Sequence, residues 1–129
     1  MRDVSVRWAT GKFGQQIQVA GHQFLADEER DKGGDDTGPA PHELVLAGLG
    51  ACTAMTLKVY AERKGWVLRD VRVTVKGEQS DSGFVITRDV TIDGDVDAEQ
   101  RQRLLEIADK CPVHKTLTGQ ITINTRAAS

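Results

Sequence analysis

The run Gly38-Pro39-Ala40-Pro41-His42-Glu43-Leu44-Val45-Leu46-Ala47-Gly48-Leu49-Gly50-Ala51-Cys52-Thr53 decides how the rest of the chain is read. Pro41 suits the first position of a helix, where its missing N–H costs nothing. No further proline follows before Gly65, and a glycine suits the position just past a helix end. The sequence therefore predicts a helix from Pro41 to about Lys64. Between Leu44 and Leu57 apolar or small residues fall on every side of it. A helix that is apolar all round has to be surrounded, on this reading by its own sheet and by a second subunit.

Working toward the N-terminus, Asp27 to Gly38 carries six acids, two bases and three glycines, which predicts a mobile, solvated loop. Before it, Val4, Val6 and Trp8 alternate with Asp3, Ser5 and Arg7, the period of a strand with one face buried. Gln16-Ile17-Gln18-Val19 and His22-Gln23-Phe24-Leu25 repeat the pattern between glycines. Together these runs predict an antiparallel meander with glycine turns.

Toward the C-terminus, Val71, Val73 and Val75, then Phe84, Ile86, Val90 and Ile92, keep a period of two. Asp81-Ser82-Gly83 lies between them as a hairpin turn. Asp97 with Gln100 resembles a capping box, and Leu104, Ile107, Ala108 and Cys111 share one face of the helix it would open. That helix should end before Cys111, because a residue preceding proline is pushed out of the α region. Pro112 can open a short helix through Leu117, and Gln120-Ile121-Thr122-Ile123-Asn124 reads as a last strand. Strands with segregated helices indicate an α+β fold, expected here as one domain over residues 1–129 with no repeat and no linker.

The composition narrows the function. The 129 residues are 39% hydrophobic and 28% charged, with 17 basic against 19 acidic residues and a net charge of -2. No basic run appears, which argues against a nucleic-acid or anionic-membrane partner. The longest uncharged apolar stretch, Leu44 to Leu57, has 14 residues, whereas a bilayer takes about 20. Met1-Arg2-Asp3-Val4 lacks the apolar stretch of a signal peptide. A soluble, cytoplasmic protein is the expectation.

In a reducing compartment two cysteines are more often free, metal-binding or catalytic than joined in a structural disulfide. Cys52 lies three turns into the helix, beyond reach of its dipole, so an activated thiolate there needs a cation from elsewhere. Cys111 points inward and precedes the N–H groups of a Pro112-started helix, a position that lowers a thiol pKa. Zinc would need two more ligands; His42 and His114 are available, but no metal-ligand spacing is present. A peroxidatic and resolving pair needs two cysteines and nothing else: one thiolate attacks a peroxide, and the second traps the sulfenic acid.

The Gly38–Thr53 segment closely resembles the osmotically inducible protein C and organic hydroperoxide resistance (OsmC/Ohr) family, and Cys111-Pro112-Val113-His114-Lys115 looks like that family's second cysteine segment. The resemblance covers nearly the whole chain. It implies a thiol-dependent peroxidase reducing organic hydroperoxides, an intertwined homodimer with sites at the subunit interface, no metal or bound cofactor, and a cellular dithiol as reductant. Cys52 carries over as the peroxidatic cysteine and Cys111 as the resolving one. The family's supporting residues are an arginine in the meander and a glutamate directly after the helix-opening proline. Here Lys12 falls near the arginine's place, His42 follows Pro41, and Glu43 is shifted by one residue, about 100° around the helix. The alternative is therefore a dimeric small-molecule-binding protein with little or no peroxidase activity.

Two further expectations come from geometry. His42 and Cys52 lie about 15 Å apart along a straight helix, so they cooperate only across an antiparallel pairing of two such helices. Arg88 occupies the inward phase of Phe84, Ile86, Val90 and Ile92, where an unpaired charge is costly. Either a bulge turns it outward, the favoured expectation, or it pairs with a buried anion, a substrate carboxylate or Glu43 of a partner chain.

Overall fold

Turn chemistry sets most of the boundaries in the computed structural model, which describes residues 1–129. Contacts within the chain cluster into two units, Met1–Val45 and Leu46–Ser129. The first unit is the meander: β1 (Ser5–Thr10), β2 (Gly14–Val19) and β3 (His22–Ala26) pair antiparallel in that order. Gly11 turns the first corner at φ +62°, a conformation that glycine adopts without Cβ strain. The strands form as expected, but β1 buries no face. Val6 and Trp8 are more than half exposed.

The stretch 27–38 is irregular and mostly exposed, as a solvated loop should be, but it is hydrogen-bonded internally around one buried acid. Asp27 is buried, and its carboxylate accepts from the Glu28 N–H at 2.7 Å, the Thr37 hydroxyl at 2.7 Å and the Thr37 N–H at 3.2 Å. The Thr37 hydroxyl foremost, then the Glu28 N–H, hold the Asp27 carboxyl below its ordinary pKa. A short 3-10 helix, Arg30–Lys32, and backbone bonds from Gly34 to Glu29 and from Asp36 to Glu28 complete the fold of the segment. Glu29, Asp31, Asp35 and Asp36 stay exposed as net acidity predicted, while Asp27 turned inward and organised its neighbours.

Helix α1 (Pro41–Lys64) crosses from the first unit into the second. Its end is a Schellman motif: Gly65 lies at φ +72°, its N–H donates to Glu62 and the Trp66 N–H donates to Ala61. By length and composition α1 would also serve to cross a membrane. Its buried residues, however, form one stripe at four-residue spacing: Leu49, Thr53, Leu57 and Ala61. Val45, Met55 and Val59 stay exposed, so the all-round cover that the sequence asks for is not supplied within one chain.

In the second unit β4 (Val67–Ser80) and β5 (Gly83–Asp95) form a long antiparallel hairpin turning at Asp81-Ser82. Helix α2 (Ala98–Ala108) opens with the expected capping box, Asp97 Oδ1 accepting from the Gln100 N–H and Gln100 Oε1 from the Asp97 N–H. Leu57, Leu104, Ile107 and Ala108 are the buried centre, with Trp66, Leu68, Val71, Val90 and Ile92 packed around them. Helix α3 (Pro112–Thr118) follows. Residues 120–124 form no strand, contrary to expectation: Ile121 and Ile123 alternate as a strand requires, but both are exposed and no strand edge in this chain pairs with them.

Candidate functional site

Cys111 is the junction of two helices. Pro112 bars it from continuing α2, so it takes an extended conformation (φ -68°, ψ 145°) and becomes the N-cap residue of α3. Its side chain therefore turns back on the new helix and its sulfur accepts from the His114 N–H at 3.3 Å. The residue is fully buried.

Three more groups close on that sulfur. Thr53, also fully buried, has its Oγ1 3.8 Å from Cys111 Sγ. Arg88 Nη1 lies 3.0 Å from Thr53 Oγ1 and 3.9 Å from Cys111 Sγ. Cys52, next in sequence to Thr53, lies near enough to the same sulfur to help lower its pKa, with no hydrogen bond joining the two thiols. Burial opposes charge on Cys111, but the His114 N–H, the Thr53 hydroxyl, the Cys52 thiol and the Arg88 cation outweigh it and hold the Cys111 pKa below that of an ordinary thiol. Thr53 has a single hydroxyl proton, donated to the Leu49 carbonyl at 2.7 Å. Rotation toward sulfur when Cys111 ionises is the natural response of such a donor.

Arg88 corrects a second expectation. No bulge turns it outward: the hairpin register runs unbroken past the Val75–Arg88 pair and shifts only between Leu68 and Asp70. The side chain is 11% exposed and is met by Asp109 Oδ1 at 2.8 Å and His114 Nδ1 at 3.1 Å, both from Nη2. Arg88 does pair with an anion, but not a buried one: the carboxylate is the largely exposed Asp109 of the chain itself, at the C-cap of α2. Because a guanidinium only donates, His114 Nδ1 accepts, which puts the neutral ring's proton on Nε2.

Two openings flank the cluster. On one side Cys52, partly exposed, lines an apolar cleft of about 360 Å³ with Met55, Val59, Ile107 and Pro112. On the other, Arg88, Asp109 and His114 line a cavity of about 500 Å³ whose apolar walls include Leu49, Phe84, Ile86 and Leu117.

The structure thus places Cys52 and Cys111 near one another. The other residues singled out in the sequence, Lys12, His42 and Glu43, belong to the first unit. Lys12 follows the Gly11 turn with its Nζ 5.0 Å from the centre of the Phe13 ring, and Glu43 Oε1 accepts from the Ala40 N–H at 2.7 Å, closing the start of α1. His42 occupies the first turn of the same helix. Sequence reasoning missed Thr53 and Asp109 and weighed His114 only as a zinc ligand. Asp109 and His114 carried a faint signal, each two residues from the Cys111-Pro112 pair; Thr53 carried none. No three His, Cys, Asp or Glu side chains gather as a metal-binding group.

Comparison with known proteins agrees with this architecture. The family model described as OsmC-like protein matches residues 33–126. No curated protein matches the chain in sequence. Among solved structures, an OsmC-like protein from Mycoplasma pneumoniae superposes with a TM-score of 0.80 at 20% identity, over 92% of this chain and 88% of that one. An organic hydroperoxide resistance protein OsmC from Legionella pneumophila gives 0.72 at 19%, over 92% and 90%. The organic hydroperoxide resistance protein OhrB of Bacillus subtilis gives 0.65 at 24%, over 92% and 91%. At these identities the structural likeness establishes the fold, and the family model, spanning most of the residues that build it, establishes that the chain belongs to the OsmC-like protein family.

Proposed function

We propose that the protein is a cytoplasmic, homodimeric, thiol-dependent reductase of organic hydroperoxides. One observation carries the reading: two free cysteines lie near one another, one partly exposed in an apolar cleft and the other fully buried beside a guanidinium. The names of the Legionella and Bacillus structures point to the same substrate class.

In this scheme Cys52, the sulfur with access to the cleft, is peroxidatic. Its sulfur attacks the terminal oxygen of ROOH, the O–O bond breaks, and the alcohol ROH leaves with a proton while Cys52 becomes a sulfenic acid. The Cys111 thiolate then attacks that sulfur. Hydroxide departs, is protonated to water, and a Cys52–Cys111 disulfide forms. A cellular dithiol returns both sulfurs to the reduced state. The cleft's apolar walls favour an organic over an inorganic peroxide, at about 25 cal/mol per Å² of alkyl surface buried. A second copy of the chain, which the uncovered faces of α1 and β1 invite, completes the assembly, and Lys12, His42 and Glu43 are the residues proposed to support peroxide and thiolate within it.

A second reading, a dimeric small-molecule-binding protein with little turnover, is favoured by the cavity of about 500 Å³ on the Arg88 side. One equivalent of cumene hydroperoxide separates the two. The peroxidase yields cumyl alcohol and an intramolecular Cys52–Cys111 disulfide; the binding protein leaves both thiols and the peroxide intact.

A further inference from the structure

Arg88 is the only side chain in the Cys111 cluster that brings a permanent positive charge within 4 Å of the sulfur. It is also the most constrained member. Two contacts from Nη1 go to Thr53 and Cys111, and two from Nη2 go to Asp109 and His114. Its 11% exposure means that little water competes for them. A planar fork held at both nitrogens fixes the charge in place, which the single rotatable ammonium of a lysine cannot do. We infer that Arg88 is the residue that positions and holds Cys111 as a thiolate, with Asp109 and His114 orienting the guanidinium from behind.

Resting on the two-cysteine reading above, this assigns a direction to the recycling step. In thiol–disulfide exchange the better-stabilised thiolate is the better leaving group, and the accessible sulfur is the one attacked. An incoming thiolate attacks Cys52 Sγ, the Cys52–Cys111 bond breaks, and Cys111 leaves with the electron pair into the place that Arg88, the His114 N–H and Thr53 have kept for it. The second thiol of the dithiol then attacks the mixed disulfide. Cys52 departs, takes up a proton, and the dithiol leaves as its own disulfide.

The thiolate role is tested without any peroxide. In a Cys52→Ser protein, whose hydroxyl keeps a donor next to Cys111, the remaining thiol is titrated by its ultraviolet thiolate absorbance. Adding Arg88→Met should raise the midpoint by about one pH unit or more, the size expected on losing an opposite charge at this range, and Arg88→Lys should recover part of it. An unchanged midpoint in a folded Arg88→Met protein overturns the assignment. Arg88→Gln, which keeps a planar donor without the charge, gives an independent arm should Arg88→Met fail to fold. The midpoint should again rise, and an unchanged midpoint overturns the assignment.

For the direction, wild-type protein oxidised with diamide to the Cys52–Cys111 disulfide is opened with a monothiol and mapped by peptide mass. An adduct on Cys52 is expected, and an adduct mainly on Cys111 overturns it. Failure of the peroxidase reading would appear only in the hydroperoxide assay and would leave both results standing.

Discussion

Arg88 Nη1 lies 3.0 Å from the hydroxyl oxygen of Thr53, joining the middle of a β-strand to the buried stripe of α1 across 35 residues of sequence. That contact puts a cation beside Cys111 without any residue of the meander. It also ties the chemistry of the site to the register of the hairpin, since a slip of one residue would turn Arg88 to the opposite face.

Replacing either cysteine should separate their roles. Cys52→Ala abolishes consumption of cumene hydroperoxide. Cys111→Ser allows one turnover and then stalls as a sulfenic acid on Cys52, detectable by dimedone adduct mass. Sustained turnover by the Cys52→Ala protein would end the peroxidase scheme.

Stability should depend on pH through Cys111. Its folded-state pKa is depressed by its hydrogen bonds and by Arg88, against the opposing effect of burial. A group of this kind contributes stability that is fully present above its unfolded pKa, about 8.5 for a free thiol, and that is lost as pH falls through the lower folded value. The gap in urea midpoint between reduced wild-type and Cys111→Ser proteins should therefore widen as pH rises toward and past that point. A gap that narrows on raising pH contradicts the account of the site.

Leu57 is fully buried at the centre of the second unit, against Leu104 and Ile107. Leu57→Ala removes three carbons from a packed core and should cost about 2–5 kcal/mol in urea unfolding. Met55→Ala, two residues away on an exposed part of the same helix, should cost far less in the isolated chain. A similar, large cost at Met55 would mean that the exposed side of α1 is covered in solution.

The folded segment 27–38 can be read by amide exchange. The N–H groups of Gly34 and Asp36 bond to Glu29 and Glu28, and that of Thr37 bonds to the Asp27 carboxylate. All three should be protected in wild-type protein and should exchange freely in Asp27→Ala. Fast exchange in the wild type would restore the solvated loop that the sequence suggested.

Sedimentation equilibrium tests the dimer. Twice the chain mass of 14.1 kDa is expected, with Val6→Glu on the uncovered side of β1 shifting the protein toward monomer. A wild-type monomer with full helical content would remove the reason for reading α1 as a shared helix.

Much of this protein is legible in its sequence because the determining rules act over a few residues. Pro41 and Gly65 bound α1, Asp97 and Gln100 cap α2, and Cys111-Pro112 makes the cysteine an N-cap, each through one or two backbone groups and the adjacent side chains. The alternation through Phe84, Ile86, Val90 and Ile92 put Arg88 in the inward phase; the favoured expectation of a bulge turning it outward was wrong, because the register runs unbroken there. What the alternation could not supply was the partner. Thr53 stands 58 residues from Cys111 and 35 from Arg88, and whether such groups meet depends on hairpin register and on how α1 packs over the sheet. The same limit explains two local shortfalls. Composition found the loop at 27–38 but not the bond from Thr37 to Asp27 that organises it, and alternation made 120–124 a strand, although a strand exists only where an edge is there to pair with it. The sequence alone determined the elements, the family resemblance and the two cysteines. Only the tertiary structure decided that the cation beside them is Arg88, because that required residues from a helix, a hairpin and an interhelical junction to converge on one buried sulfur.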